Sequence, residues 1–159
     1  MKENSFIKVI IADDHEMIRK SIRDSIDNKN NLLFLDDVGN GQQLVDSYFR
    51  FNPDVILVDI EMPVMGGFKA VEIIKSRDEN VRALFLSLHN DESSFYQVIK
   101  AGGLGLIGKV NPTGQLVSAI WEVHKGAYYF NKVIDKKNIE EIVAKYEKHR
   151  LNDPAAKIM

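Results

Sequence analysis

The residues of this chain with the most chemistry to offer are two adjacent acids, Asp13 and Asp14, a third acid at Asp59, a hydroxyl at Ser87 and an amine at Lys109. Taken singly, each has a plain structural reading. Asp13 or Asp14 could cap a helix N-terminus, Asp59 could end a strand, Ser87 could bond a loop, and a lone lysine is most often a solvated charge. Brought together they form a site, because three converging carboxylates repel strongly unless a cation neutralises them, and hard divalent cations prefer oxygen ligands. Mg²⁺ fits that demand: it takes one or two carboxylates, keeps several waters and completes its shell with phosphate oxygens. Phosphoryl transfer asks mainly for positioning and charge neutralisation. Mg²⁺ and Lys109 would supply charge on opposite sides of the transferring group. The Ser87 hydroxyl would donate a hydrogen bond to one of its oxygens, and Asp59 would be the in-line nucleophile.

For these side chains to meet, the segments carrying them must lie side by side. Five short apolar runs rich in β-branched residues read as strands: Ile7 to Ala12, Leu32 to Val38, Val55 to Val58, Val81 to Leu88 and Leu104 to Ile107. Helical stripes separate them, at Ile18, Ile22 and Ile26, at Leu44, Val45 and Tyr48, at Val71 and Ile74, and at Phe95, Val98 and Ile99. Leu116, Ala119, Ile120 and Val123 form a fifth, with the spacing that buries one helix face. Asn40-Gly41, Asn52-Pro53, Met65-Gly66-Gly67 and Asn111-Pro112 punctuate the boundaries. Strict alternation predicts a doubly wound α/β fold, a parallel sheet covered by helices on both faces. In such sheets the active crevice lies beyond the carboxyl ends of the strands. Asp13-Asp14, Asp59, Ser87 and Lys109 all fall at strand ends.

Composition narrows the function classes. At 159 residues the chain holds one sizeable core, with or without a tail. Lys and Arg total 21 against 23 Asp and Glu, so no global basic field draws in nucleic acid or anionic membrane. There is no cysteine, no apolar leader from Met1 to Phe6 and no run long enough to span a bilayer, so a cytoplasmic protein is expected.

The quoted residues sit in three blocks: Ile-Ile-Ala-Asp-Asp-His at 10–15, Asp-Val-Ile-Leu-Val-Asp-Ile-Glu-Met-Pro-Val-Met-Gly-Gly at 54–67, and Ala-Gly-Gly-Leu-Gly-Leu-Ile-Gly-Lys at 101–109. Over roughly Ile7 to Lys125 the sequence resembles the receiver domain of two-component response regulators. The resemblance implies a flavodoxin-like (βα)5 fold, with Asp13, Asp14, Asp59 and the backbone carbonyl of Glu61 binding Mg²⁺. It further implies that Asp59 accepts a phosphoryl group from a sensor histidine kinase, with Ser87 and Lys109 holding it afterwards. A protein of this kind catalyses only its own phosphorylation and dephosphorylation, and a homodimer is compatible with it.

Asp-Asp-His, Ser-Leu-His-Asn at 87–90 and Lys-Gly-Ala-Tyr-Tyr-Phe at 125–130 look most like the NarL/FixJ-type subfamily, whose members usually continue into a LuxR-type helix-turn-helix. The expected division is a receiver domain at 1–131 and a linker helix and tail at 132–159, the helix carried by Ile139, Ile142, Val143 and Tyr146. Truncation before a DNA-binding domain is the favoured explanation, so transcription regulation and DNA contact would belong to a domain outside this chain. A stand-alone receiver is the alternative. Leu106 stands where receivers typically carry an inward-turning aromatic residue, which predicts an altered readout through strand five. Val110 follows the lysine where many receivers place proline.

Three other readings are weaker. Gly103 to Lys109 matches both a dinucleotide fingerprint and a P-loop in letters, but a helical segment precedes it and Val110 offers no hydroxyl for a metal. An aspartyl-phosphate phosphohydrolase would want an aspartate where Glu61 stands. A pseudo-receiver that only binds partners is disfavoured by retention of all five site residues. His15, His89, His124 and His149 lack metal spacing, and Trp121 with Tyr128, Tyr129 and Phe130 reads as packing for the last helices.

Overall fold

The computed structural model describes residues 5–25, 31–89, 91–109 and 113–152. Strands β1 (Ile7–Ala12), β2 (Leu32–Val38), β3 (Val55–Asp59), β4 (Ala83–Ser87) and β5 (Gly105–Gly108) alternate with helices α1 (Glu16–Ser25), α2 (Gly41–Phe51), α3 (Gly67–Arg77), α4 (Glu92–Lys100) and α5 (Thr113–His124). Two short strands, β6 (Tyr128–Phe130) and β7 (Val133–Ile134), and helix α6 (Lys136–Asn152) follow. The sheet runs β2-β1-β3-β4-β5-β6-β7, parallel except for β7, which is antiparallel to β6. The order reverses at β1, between β2 and β3, which places a crevice beyond the carboxyl ends of β1 and β3. This is the doubly wound, flavodoxin-like architecture expected.

Strands β3 and β4 are buried at every residue, which is why Val-Ile-Leu-Val-Asp and Ala-Leu-Phe-Leu-Ser are near-continuous apolar runs rather than alternating ones. Alternate residues feed two cores. Ile10, Ile56, Val58, Phe85 and Leu106 face α2, α3 and α4, while Ile11, Leu57, Leu86 and Ile107 face α1 and α5. Side-chain caps fix where helices begin: Asn40 accepts from the Gln43 N–H at α2, and Asp91 accepts from the Ser94 N–H at α4.

The structure departs from the sequence expectation in identifiable places. The fourth strand is shorter at both ends, since the Val81 N–H turns back to the Asp78 carbonyl and Leu88 projects into solvent. Tyr128, Tyr129 and Phe130 pack against helices as expected, Tyr129 with α5 and Phe130 with Phe95 of α4, and they do so from an added strand. Tyr129 points into the α1/α5 core and Phe130 into the opposite one, the period-two signature of a strand. Gly105 allows the pairing, because a Cβ there would lie 2.4 Å from the Tyr129 carbonyl oxygen. The expected C-terminal linker helix, α6, lies against α4 with Ile139 buried in the core. Ile26, Val110 and the Asn111-Pro112 turn lie outside the described residues.

Candidate functional site

Asp13 leaves β1 with its backbone N–H bonded to the Val38 carbonyl, and Arg19 Nη1 donates to the Asp13 carbonyl at 2.5 Å. Arg19 also pairs with Asp37 through Nε at 2.9 Å, so α1 and the end of β2 brace the turn that carries the acidic pair. The Asp13 side chain is fully buried. Its Oδ1 accepts from the His15 backbone N–H at 2.9 Å and meets His15 Nδ1 at 2.9 Å. The same ring nitrogen is 3.1 Å from Asp14 Oδ1. Asp14 is the solvent-facing member of the pair.

Asp59 ends β3 at the floor of the crevice, only 5% exposed. Lys109, at the end of β5, spans the two buried acids, its ammonium 2.9 Å from Asp13 Oδ2 and 3.2 Å from Asp59 Oδ2. The Lys109 N–H bonds to the Ser87 carbonyl, which registers β5 against β4 at the rim. Ser87 lines the same crevice, but its Oγ is engaged elsewhere, accepting the His89 N–H at 2.9 Å. Gly67 closes the β3–α3 loop, its N–H on the Ile60 carbonyl. A Cβ at Gly67 would lie 2.3 Å from the Asp59 carbonyl oxygen, so glycine lets α3 start directly against the acidic strand end. Val64 in that loop adopts φ 67°, a costly left-handed conformation for a β-branched residue. The crevice holds about 440 Å³ and is lined by Asp14, His15, Asp59, Glu61, Ser87 and Lys109, together with Ile60, Met62, Pro63, Leu88 and His89.

Electrostatics follow the geometry. Burial raises the Asp59 carboxyl most, the neighbouring Asp13 charge raises it further, and Lys109 only partly opposes them, leaving a pKa of about 6. For Lys109, burial works against the ammonium, but the bond and charge of Asp13 and the charge of Asp59 outweigh it and hold its pKa above the ordinary lysine value. An acid above its ordinary range beside a lysine above its own marks a place with surplus negative charge.

A divalent cation fits that surplus. One ligand atom each from Asp13, Asp14, His15 and Asp59 lies within 4.8 Å of the others. Asp13 Oδ2 is buried against the Lys109 ammonium at 2.9 Å, and a carboxylate oxygen so placed keeps a second lone pair for a cation. Three carboxylate oxygens suit a hard cation. The structure therefore gathers Asp13, Asp14, Asp59 and Lys109 as expected, and sets Ser87 and Glu61 on the crevice wall. His15 is the member that sequence reasoning missed. Its separation from the other histidines hides it, and the available signal was its position directly after the acidic pair, where an Asx turn folds it back.

A doubly wound domain with an acidic, metal-competent crevice at its switch point is the class that fold and site define. The profile of the response regulator receiver domain matches residues 9–121, and the chain belongs to that family. It is 31% identical over 135 residues to the transcriptional regulatory protein DegU of Brevibacillus brevis, covering 85% of this chain and 57% of the relative. It is 26% identical over 151 residues to the oxygen regulatory protein NreC of Staphylococcus carnosus, covering 93% of this chain and 70% of the relative. A LuxR-family two-component response regulator from Aurantimonas sp. SI85-9A1 superposes with a TM-score of 0.75 at 22% identity, over 90% of this chain and 99% of that one. The receiver domain of the NarL regulator of Mycobacterium tuberculosis gives 0.72 at 24% identity, over 77% of this chain and 98% of that one. The NarL/FixJ-type likeness read from Asp-Asp-His, Ser-Leu-His-Asn and Lys-Gly-Ala-Tyr-Tyr-Phe accords with these relatives.

Proposed function

We propose that Asp59 accepts a phosphoryl group from a phosphorylated histidine of a sensor kinase in a Mg²⁺-dependent step, and that the modified domain switches an output. The observation that carries this reading is the Asp13–Lys109–Asp59 arrangement, in which a buried nucleophilic carboxylate is held beside one ammonium and a second acid with a free lone pair. In the transfer, an Asp59 carboxylate oxygen forms a bond to phosphorus as the P–N bond of the phosphoimidazole breaks. The bonding pair leaves with the imidazole, which takes up a proton from solvent. Lys109 stays close enough to neutralise charge on the transferred oxygens. The Ser87 hydroxyl, whose oxygen accepts the His89 N–H in this structure, donates a hydrogen bond to a phosphoryl oxygen.

Asp13, Asp14 and Asp59, with the Glu61 carbonyl, are the residues that would hold Mg²⁺, and the ion when bound neutralises the clustered acids and the incoming phosphate. The domain acts on no external substrate. It catalyses its own phosphorylation and, with water as nucleophile, its own dephosphorylation. The names of the relatives, a transcriptional regulatory protein and an oxygen regulatory protein, support transcription as the output. Among the described residues no helix is long and apolar enough to cross a membrane, and a cytoplasmic setting accords with a kinase donor.

Incubation with Mg²⁺ and acetyl phosphate, read by intact mass, tests the proposal. One added phosphoryl group on wild type and none on Asp59→Asn is expected. Equal labelling of the two, or none on wild type, would overturn it, and sustained hydrolysis of external phosphate esters would favour a phosphohydrolase.

A further inference from the structure

His15 belongs to the crevice, yet no step proposed above uses it. Its backbone is held on both sides: the N–H is bonded to Asp13 Oδ1 at 2.9 Å, and the carbonyl accepts the N–H of Ile18 at 3.0 Å and of Arg19 at 3.2 Å. The turn from β1 into α1 therefore fixes where the ring starts, and the ring folds back over the acidic pair. Nδ1 stands 2.9 Å from Asp13 Oδ1 and 3.1 Å from Asp14 Oδ1. The plain reading is a hydrogen bond from Nδ1–H to the two carboxylates. Those separations are also the ones that neighbouring ligands take around a single ion. With bonds of about 2.1 Å, adjacent octahedral ligands lie about 3.0 Å apart and opposite ones about 4.2 Å. The four donors from Asp13, Asp14, His15 and Asp59 already lie within 4.8 Å of one another, so a contraction of about 0.6 Å across the widest pair completes one shell.

The fourth donor changes which ions the set suits. Mg²⁺ takes oxygen ligands and has little use for an imidazole, whereas imidazole nitrogen is a favoured ligand of Zn²⁺, Fe²⁺ and Ni²⁺. Three carboxylates with one ring nitrogen make a mixed set that a transition ion engages in full and Mg²⁺ only in part. Lys109 does not stand in the way. It meets Oδ2 of Asp13 and Oδ2 of Asp59, while His15 meets Asp13 through Oδ1. The His15 side chain is 63% exposed, so the proton that Nδ1 shares with the acids can pass through water to Nε2 when Nδ1 gives its lone pair to an ion. His89 also lines the crevice, but it is not a member of the four-donor group.

We propose that His15 Nδ1 is a metal ligand, and that the crevice accepts a divalent first-row transition ion of the Zn²⁺ class in competition with Mg²⁺. This rests on the cation-binding part of the function proposed above. The test is calorimetry on the full chain in phosphate-free buffer, with Zn²⁺ and separately with Mg²⁺, comparing wild type with His15→Gln. Glutamine keeps the backbone N–H that bonds Asp13 and removes only an exposed ring, so the turn survives the change. Zn²⁺ affinity should fall at least about tenfold in the variant, while Mg²⁺ affinity changes by less than about twofold. Nitrogen-15 spectra of the ring nitrogens locate the ion: Zn²⁺ should shift Nδ1 of His15, and Mg²⁺ should not. Equal losses for both ions would reduce His15 to a brace of the turn and overturn the proposal. Unchanged Zn²⁺ affinity, or a Zn²⁺-dependent shift confined to the other three histidines, would overturn it as well. Zn²⁺ binding through His15 with no Mg²⁺ binding would overturn the Mg²⁺ step of the proposed function and leave His15 a ligand, whereas failure of wild type to bind either ion overturns both.

Discussion

Replacing Asp59 by asparagine should make the metal-free protein more stable while it abolishes phosphate acceptance. Burial, then the Asp13 charge, lifts the Asp59 carboxyl from 3.8 to about 6, against the pull of Lys109. Between those values the native state holds a proton that the unfolded chain has lost. The stabilisation is therefore complete below pH 3.8 and is forfeited as pH rises through 6. At about 1.4 kcal/mol per tenfold, the ionised carboxylate costs the fold about 3 kcal/mol at pH 7.5, before water entering the crevice reduces it. Asparagine carries no charge at any pH, so Asp59→Asn should gain about 1–3 kcal/mol at pH 7.5, with the gap roughly halved at pH 5. Urea denaturation in EDTA at both pH values measures this directly. Adding Mg²⁺ should then stabilise wild type more than the variant, because only wild type offers all three carboxylates. A variant no more stable than wild type at pH 7.5, or a gap that ignores pH, would refute the idea that surplus charge is stored at this site.

Two further outcomes follow from the same geometry. Mg²⁺ affinity measured by calorimetry should fall as pH drops through about 6, since protons compete for Asp59 there; equal affinity at pH 7.5 and pH 5 would show that Asp59 is not a ligand. Gly67→Ala forces a Cβ to within 2.3 Å of the Asp59 carbonyl oxygen and 2.9 Å of Val58 Cγ1. Backbone cannot yield cheaply there, so a loss of about 1–3 kcal/mol in urea and a lower phosphorylation yield are expected, and a variant with wild-type stability and yield would show the loop to be more forgiving than its packing implies.

Much of the fold was legible because burial imposes a period. Strands covered on both faces must be apolar throughout, helices need one apolar stripe, and the chain alternates the two patterns five times. The short strands β6 and β7 escaped because two or three residues carry no measurable period, and their existence depends on the edge that β5 presents. The apolar stripe of α6 showed that the helix had a face to bury, but not that α4 would cover it. A stripe specifies a need for contact, not the contact.

At the site the division is similar. Residue types and positions at strand ends determined that Asp13, Asp14, Asp59, Ser87 and Lys109 would share one rim, since parallel strands all point their carboxyl ends the same way. The turns that fold His15 onto the acidic pair and the His89 N–H onto Ser87 are local to the strand ends, whereas only the tertiary structure decided that Lys109 of β5 bridges Asp13 and Asp59. It likewise decided the elevated pKa of Asp59. Hydrogen bonds and charge interactions between residues far apart in the chain depend on separations of a few ångström and on exclusion of water, and both exist only once the strands are packed.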